Sequence, residues 1–259
     1  MNSILTNNEM DQKYQELNRL KYVFPYSYKI SKNNQHHYVL GVQHTFDPKN
    51  HQLKTVKKYW DEFLKETKKK NCIVLVEGGK RPNIDDIDEA VRKHAEGGFI
   101  ANLATKENIE TYSPEPDEKY EVNQLVKKFS KEEIMYYYFA RTVAQWHRLM
   151  QKPNIKEYIE GFMKRDKEIT GWNDFDFSFE NFIKLHDKFH DHPFDPDNYK
   201  CFYDDSNPSY SKVSAGSSLV RDKHILSEIK KLWRKGKNIF IVYGSGHAIK
   251  LEKALKELK

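Results

Sequence analysis

Two histidines stand at the same distance from a glycine near opposite ends of the chain: Gly41 to His44 in YVLGVQHTFDP, and Gly244 to His247 in IFIVYGSGHAIKLEKAL. A short apolar run precedes each glycine and reads as a buried strand running into a loop. Two more strand-like runs lead to carboxylates: CIVLVE ends on Glu77, and the weaker IETYS stops just before Glu115. If these strands are parallel, His44, Glu77, Glu115 and His247 all leave one edge of one sheet, the edge where open parallel sheets bind ligands. Two imidazoles and a carboxylate are a common ligand set for zinc and similar divalent ions. The same groups serve equally as a base and its orienter in metal-free hydrolysis. Taken singly, each has a blander use. A histidine after a strand often just fixes a loop, and Glu77 before Gly78-Gly79 could cap a turn. The paired pattern is what points to a site.

Two other motifs compete for attention. GSGHAI opens a helix after a strand as a dinucleotide fingerprint would, but the third glycine falls at Ile249 and the strand is the last in the chain. Close backbone approach explains these glycines better. LHDKFHDHPFDPD carries His186 and His190 four residues apart, on one helix face, which is metal-pair spacing. It lacks the glutamate of a metalloprotease helix, and Asp beside Pro is ordinary loop chemistry.

The elements that must position the first set follow from periodicity. Tyr38 to Val42, Cys72 to Glu77, Ile109 to Ser113 and Ile239 to Tyr243 are continuous apolar runs, as in parallel strands covered on both faces. Between them lie helical patterns: Leu53 to Leu64, Ile87 to Leu103, Lys131 to Met150 with a Ser130/Glu133 capping box, Phe179 to His190, Leu219 to Trp233 and Ala248 to Leu258. Strand–helix alternation predicts an α/β fold with a largely parallel central sheet flanked by helices. The stretch Lys152 to Ser218, rich in Pro, Asp and aromatics, reads as an inserted helical cap followed by an irregular loop.

Composition narrows the class. The chain has 259 residues, 38% of them apolar and 32% charged, a globular protein with a heavily charged surface. No run approaches the length of a membrane span, and no signal peptide is expected from the N-terminus. The formal charge of +6 is spread over mixed-sign helix faces such as KKYWDEFLKETKKK, which argues against nucleic-acid binding. Two distant cysteines, Cys72 and Cys201, suit reduced thiols and a cytoplasmic location; Cys72 reads as a small buried hydrophobe.

GVQH, VLVEGG, EGGFIANLATKENIETYSPEPDE, RDKHI and GSGH occur in this order, and together they resemble the TraB/PrgY/GumN family, which includes the Tiki metalloproteases and is related to the EreA/ChaN-like proteins. The likeness runs from Tyr38 to Ala248, with residues 119–218 matching no motif. It implies a single α/β domain over 1–259 with 119–218 as a helical and loop insertion. It further implies a hydrolase, metal-dependent, that cleaves a peptide, ester or lactone bond. His44, Glu77, Arg221 and His247 would be catalytic, with Arg221 opening a late helix. Glu96, Glu115 and Asp222 would bind substrate, and His44, His247 and Glu77 would hold manganese, cobalt or zinc. A metal-free variant uses one histidine as base, oriented by Glu77. The other class is a non-catalytic regulatory protein holding a peptide or haem in the same cleft. The expected partner is a small molecule or peptide, with no nucleic acid and no membrane; a homo-oligomer is left open.

Overall fold

The computed structural model describes residues 4–19, 24–79, 81–147, 149, 151–197 and 208–258. Two compact units divide the chain: residues 1–115 with 222–259, and residues 116–221.

The first unit is built on a five-stranded sheet. Its strands are β1 (Tyr26–Lys32), β2 (Gln35–Val42), β3 (Cys72–Val76), β4 (Glu110–Tyr112) and β5 (Asn238–Gly244), in the spatial order β1-β2-β5-β3-β4. The β2, β5, β3 and β4 ladders are parallel, and β1 is antiparallel to β2. The sequence reading lacks β1. Asn33 and Asn34 both take positive φ (53° and 61°) between Lys32 and Gln35, the two-residue turn that closes a hairpin. The last strand to form in sequence, β5, slots between β2 and β3, so the two ends of the chain meet at the centre of the sheet.

Alternate residues of the central strands feed two apolar layers. Val39, Leu75, Ile239 and Ile241 face one cluster with Ile225, Ile229 and Trp233; Leu40, Val74, Val76 and Phe240 face the other with Val56, Trp60, Phe63 and Ile100. Helices α1 (Asn7–Arg19), the later part of α8 (Pro208–Arg234) and α9 (Ser245–Lys256) carry the first layer. Helices α2 (His51–Thr67) and α3 (Ile87–Lys106) carry the second. α1 also goes beyond the sequence reading, although Thr6 and Glu9 form a capping box at its start. A sheet covered on both faces explains the continuous apolarity of its central strands.

The second unit contains α4 (Glu118–Leu125), α5 (Lys131–His147), α6 (Ile155–Thr170), α7 (Phe179–Phe189) and the first part of α8. Phe139, Phe182, Met163, Val143 and Tyr210 are among its buried core. The expected Ser130/Glu133 capping box forms, with Glu133 accepting from the Ser130 backbone at 2.9 Å. Three expectations are corrected here. Residues 208–218, read as irregular loop, are helical, and Arg221 therefore sits inside α8 instead of opening a helix. The helix end expected at Met150, Cys201 and the loop residues 198–207 lie outside the described residues. Cys72 is half-buried, not core, and its thiol donates to Thr67 at 3.2 Å.

Candidate functional site

The parallel ladders put the C-terminal ends of β2, β5, β3 and β4 on one edge, and the residues just beyond them are His44, His247, Glu77 and Glu115. The strands β2, β5 and β3 are neighbours, so both histidines come within reach of the glutamate. Glu77 stands 4.0 Å from His44 Nε2 through Oε2 and 3.7 Å from His247 Nε2 through Oε1.

Each imidazole is held from behind by a buried carboxylate. Glu96 Oε1 lies 2.5 Å from His44 Nδ1, and Asp222 Oδ1 lies 2.5 Å from His247 Nδ1. An ionised carboxylate only accepts, so each Nδ1 carries a proton and each ring turns its Nε2 toward Glu77. Asp222 is completely buried, while Glu96 is 5% exposed. The resemblance groups both with substrate; in the structure each stands behind a histidine and orients it. Lys250 Nζ is the other charge on Asp222, 4.0 Å from Oδ2.

Local folding explains how these groups arrive. Gly244 donates its backbone N–H to Glu77 Oε2 at 2.7 Å and caps α9, so the carboxylate sits where the helix dipole favours negative charge. A Cβ on Gly244 would come within 3.0 Å of that oxygen and 3.4 Å of His44 Nε2. A Cβ on Gly41 would meet Ala248 Cβ at 2.7 Å and Ser245 Cα at 3.0 Å, where the first turn of α9 lies on β2. The glycine of each Gly-x-x-His motif is thus needed for close approach. Tyr28 fixes the same turn, donating to the Ala248 carbonyl at 2.9 Å.

Glu115 is drawn in by the turn after β3, its Oε2 accepting from Gly78 N at 2.7 Å. Glu96 is delivered by a break in α3. His94 and Ala95 leave helical geometry, with Ala95 at φ 52° and ψ −147°, and the helix resumes with Glu96. Arg81, which sequence reasoning missed, bonds the Glu77 carbonyl and packs against Gly97, tying the β3 turn to the resumed helix. Its only sequence signal is its place four residues after Glu77.

One carboxylate oxygen each from Glu77 and Glu115 and one imidazole nitrogen of His247 lie within 4.8 Å of one another. This is a donor set suited to zinc, manganese or cobalt. The Asp222–His247 pair behind it is the arrangement that typically backs a ligating histidine. The group differs from the expected His44, His247 and Glu77: Glu115 stands in it and His44 does not. His44, with its side chain 55% exposed, faces Glu77 from the other side.

Arg221 belongs to the second unit, where its charge acts on that of Arg141. The other histidine cluster is also there, its rings His186 and His190 stacked at 4.5 Å. His186 spends Nδ1 on the Tyr136 hydroxyl at 3.0 Å and Nε2 on the His192 carbonyl at 3.1 Å, so it is a core hydrogen-bonder with no lone pair left for a metal.

Fold and site together define the class: an α/β protein with two carboxylate–histidine pairs converging on one glutamate at the C-terminal edge of its sheet. Beyond that class, no family model, no curated protein and no solved structure matches the chain. Among the described residues no helix is long and apolar enough to cross a membrane.

Proposed function

We propose that this protein is a hydrolase of the TraB/Tiki-like kind, metal-dependent, acting on a peptide, ester or lactone bond. The observation that carries this reading is Glu77, set between two imidazoles whose Nδ1 atoms are both pinned by buried carboxylates. A pocket that only held a ligand would have little use for two fixed tautomers facing one carboxylate.

In this reading His247, Glu77 and Glu115 hold the ion, and His44 is the base. A divalent ion held there would supply a bound water of lowered pKa and polarise the substrate carbonyl. His44, fixed by Glu96, accepts the proton of the attacking water at Nε2 as its oxygen bonds to the carbonyl carbon. The same nitrogen returns that proton to the leaving nitrogen or oxygen as its bond to carbon breaks. Arg221, which stays protonated, clamps substrate charge. Residues 116–221 serve as an inserted helical cap. Its support is topological: the insertion leaves the first unit after Glu115 and returns at Asp222, both of them residues of the site.

The test separates ligand from base. Metal content per chain is measured for the wild type, His247→Ala and His44→Ala, together with hydrolysis of a panel of chromogenic esters, lactones and peptides. The expected result is stoichiometric metal in the wild type and in His44→Ala, its loss in His247→Ala, and turnover in the wild type alone. A metal-free and inactive wild type, reconstituted with manganese, cobalt and zinc in turn without gaining either property, would remove the reading.

A further inference from the structure

Arg81 is built into the first unit beside two residues of the site. Its Nη2 donates to the Glu77 carbonyl, and its guanidinium lies against Gly78 and Gly97. A Cβ on Gly78 would come within 2.5 Å of Nη2, and one on Gly97 within 3.0 Å of Nε. These glycines directly follow Glu77 and Glu96, the carboxylates that meet at His44. Gly97 lies in the helical part of α3, where glycine is unfavourable and no special backbone angle calls for it. Its missing side chain is the room that Arg81 fills.

A strut needs no charge, yet the charge of Arg81 is unanswered: among the described residues it joins no ion pair. The carboxylates of this edge are turned to other donors. Glu77 Oε2 accepts from Gly244 N and Glu115 Oε2 from Gly78 N, while Glu96 takes His44 on one oxygen and Thr45 N on the other. Of the five N–H donors of Arg81 one is used. Nε is buried without a hydrogen-bond partner among the described residues, whereas Nη1, also without one, reaches solvent. His94, at the break in α3, brings no negative charge either; burial first, and then the charge of Arg81, lower its pKa. A half-buried guanidinium anchored at one N–H has lost part of its water and gained no counter-ion. A carboxylate or phosphoryl group would complete it through charge-assisted, forked hydrogen bonds.

We propose that Arg81 is a substrate-binding residue that takes the oxyanion group, carboxylate or phosphoryl, of an anionic substrate beside Glu77. This names the substrate class for the hydrolase reading, and its link to turnover rests on that reading; its binding does not.

The experiment therefore reads binding first. Inorganic phosphate, N-acetylglycine and the uncharged N-acetylglycine amide are titrated into the full chain, before and after EDTA treatment. The Arg81 Nε–Hε NMR signal, assigned by its loss in Arg81→Lys, is followed. Phosphate or N-acetylglycine is expected to shift it saturably in both states, and the amide to leave it in place; the tighter anion identifies the group. Affinities of the variants are read by titration calorimetry. Arg81→Gln is expected to weaken the better probe at least about tenfold, the scale of lost charge-assisted hydrogen bonds. Arg81→Lys, which keeps the charge and a donor for the Glu77 carbonyl but not the fork, should weaken it by about two- to fivefold. No saturable shift, or an affinity indifferent to Arg81→Gln in a variant with a native-like spectrum, would overturn the proposal. So would an Arg81→Gln effect that disappears after EDTA, which places the anion on a metal. Should Arg81→Gln not fold, undiminished affinity in Arg81→Lys overturns it instead. In turnover, the ratio of kcat/KM for 4-nitrophenyl hemisuccinate over 4-nitrophenyl butyrate should fall about tenfold in Arg81→Gln, on the same scale. A strut alone would lower both rates alike, and an unchanged ratio sinks the substrate role. A protein that hydrolyses neither ester but binds through Arg81 keeps this site and removes the hydrolase; an active protein whose anion binding ignores Arg81 does the reverse.

Discussion

Asp222 shows how little of a side chain's role is visible in its letter. It is completely buried, it fixes His247 through Nδ1, and Lys250 stands 4.0 Å from its other oxygen. Glu96 repeats the arrangement at His44 from a different helix. His44, Glu77, Glu115 and His247 were legible in the sequence because each follows an apolar run, and parallel strands bring their ends to one edge. The two orienting carboxylates were not legible from spacing: one follows a helix break and the other lies in mid-helix, and neither position has a periodic signature. The pairs differ in what their loss should do. Asp222→Asn keeps the shape but no longer dictates which nitrogen of His247 carries the proton. We expect it to weaken metal binding by about 10–100-fold, as loss of such a backing carboxylate does. Glu96→Gln should leave metal affinity within about twofold, because His44 lies outside the metal group, and reduce turnover by about 10²-fold or more, the worth of a positioned base. Competition against a chelating dye and initial-rate assays check both. Equal loss of metal in the two variants would restore His44 to the ligand set.

At the scale of elements, the apolar runs located every parallel strand, while the hairpin strand β1 escaped because YSYKISK alternates and carries two lysines. Its solvent-facing side masks the signal, and only the Asn33-Asn34 turn gives it away. Helix α4 escaped, and α6 was read only as part of a helical stretch without bounds, for a related reason: both pack within the aromatic second unit, where apolar residues in loops blur the helical period. The break in α3 was likewise invisible, although EGG marks it. Gly98 is the key to that break, for a Cβ there would lie 2.1 Å from the Ala90 carbonyl oxygen, backbone that cannot step aside. Gly98→Ala should destabilise the protein by about 1–3 kcal/mol, the usual cost of overpacking, and loosen Glu96 from His44. Gly161, within α6, is the control: nothing lies within 4 Å of an added Cβ. Gly161→Ala should stabilise by about 0.5–1 kcal/mol through helix propensity and a stiffer unfolded chain. Urea unfolding midpoints measure both, and the two substitutions should move them in opposite directions.

At the scale of the whole molecule, the two units carry oppositely perturbed buried groups. In the first, His37 is 2% exposed and stacked on Trp233 at 3.9 Å, with no hydrogen-bond partner on either ring nitrogen among the described residues. Burial, with the charge of His36 adding to it, pushes its pKa down to about 3 from 6.5. In the second, burial raises Asp166 to about 6 from 3.8, against the pull of Arg165 beside it. The unfolded chain protonates His37 more readily than the native first unit does, so that unit loses stability as pH falls from 6.5 toward 3. Native Asp166 holds its proton more tightly than the unfolded chain, so the second unit gains stability as pH falls from about 6 toward 3.8. Each group changes stability by about 1.4 kcal/mol per pH unit across its window, before solvent relaxation reduces it. The tryptophans report the units separately: Trp60 and Trp233 lie in the first, Trp146 and Trp172 in the second. In thermal melts followed by fluorescence of Trp146→Phe/Trp172→Phe, the first-unit Tm should fall between pH 6.5 and 4. In Trp60→Phe/Trp233→Phe the second-unit Tm should fall less or rise. His37→Phe, which keeps a ring over Trp233 but cannot titrate, should flatten the first slope alone, and Asp166→Asn the second alone. If both units follow one pH curve that neither substitution changes, the acid response belongs to the surface charges and these two buried groups play no part in it.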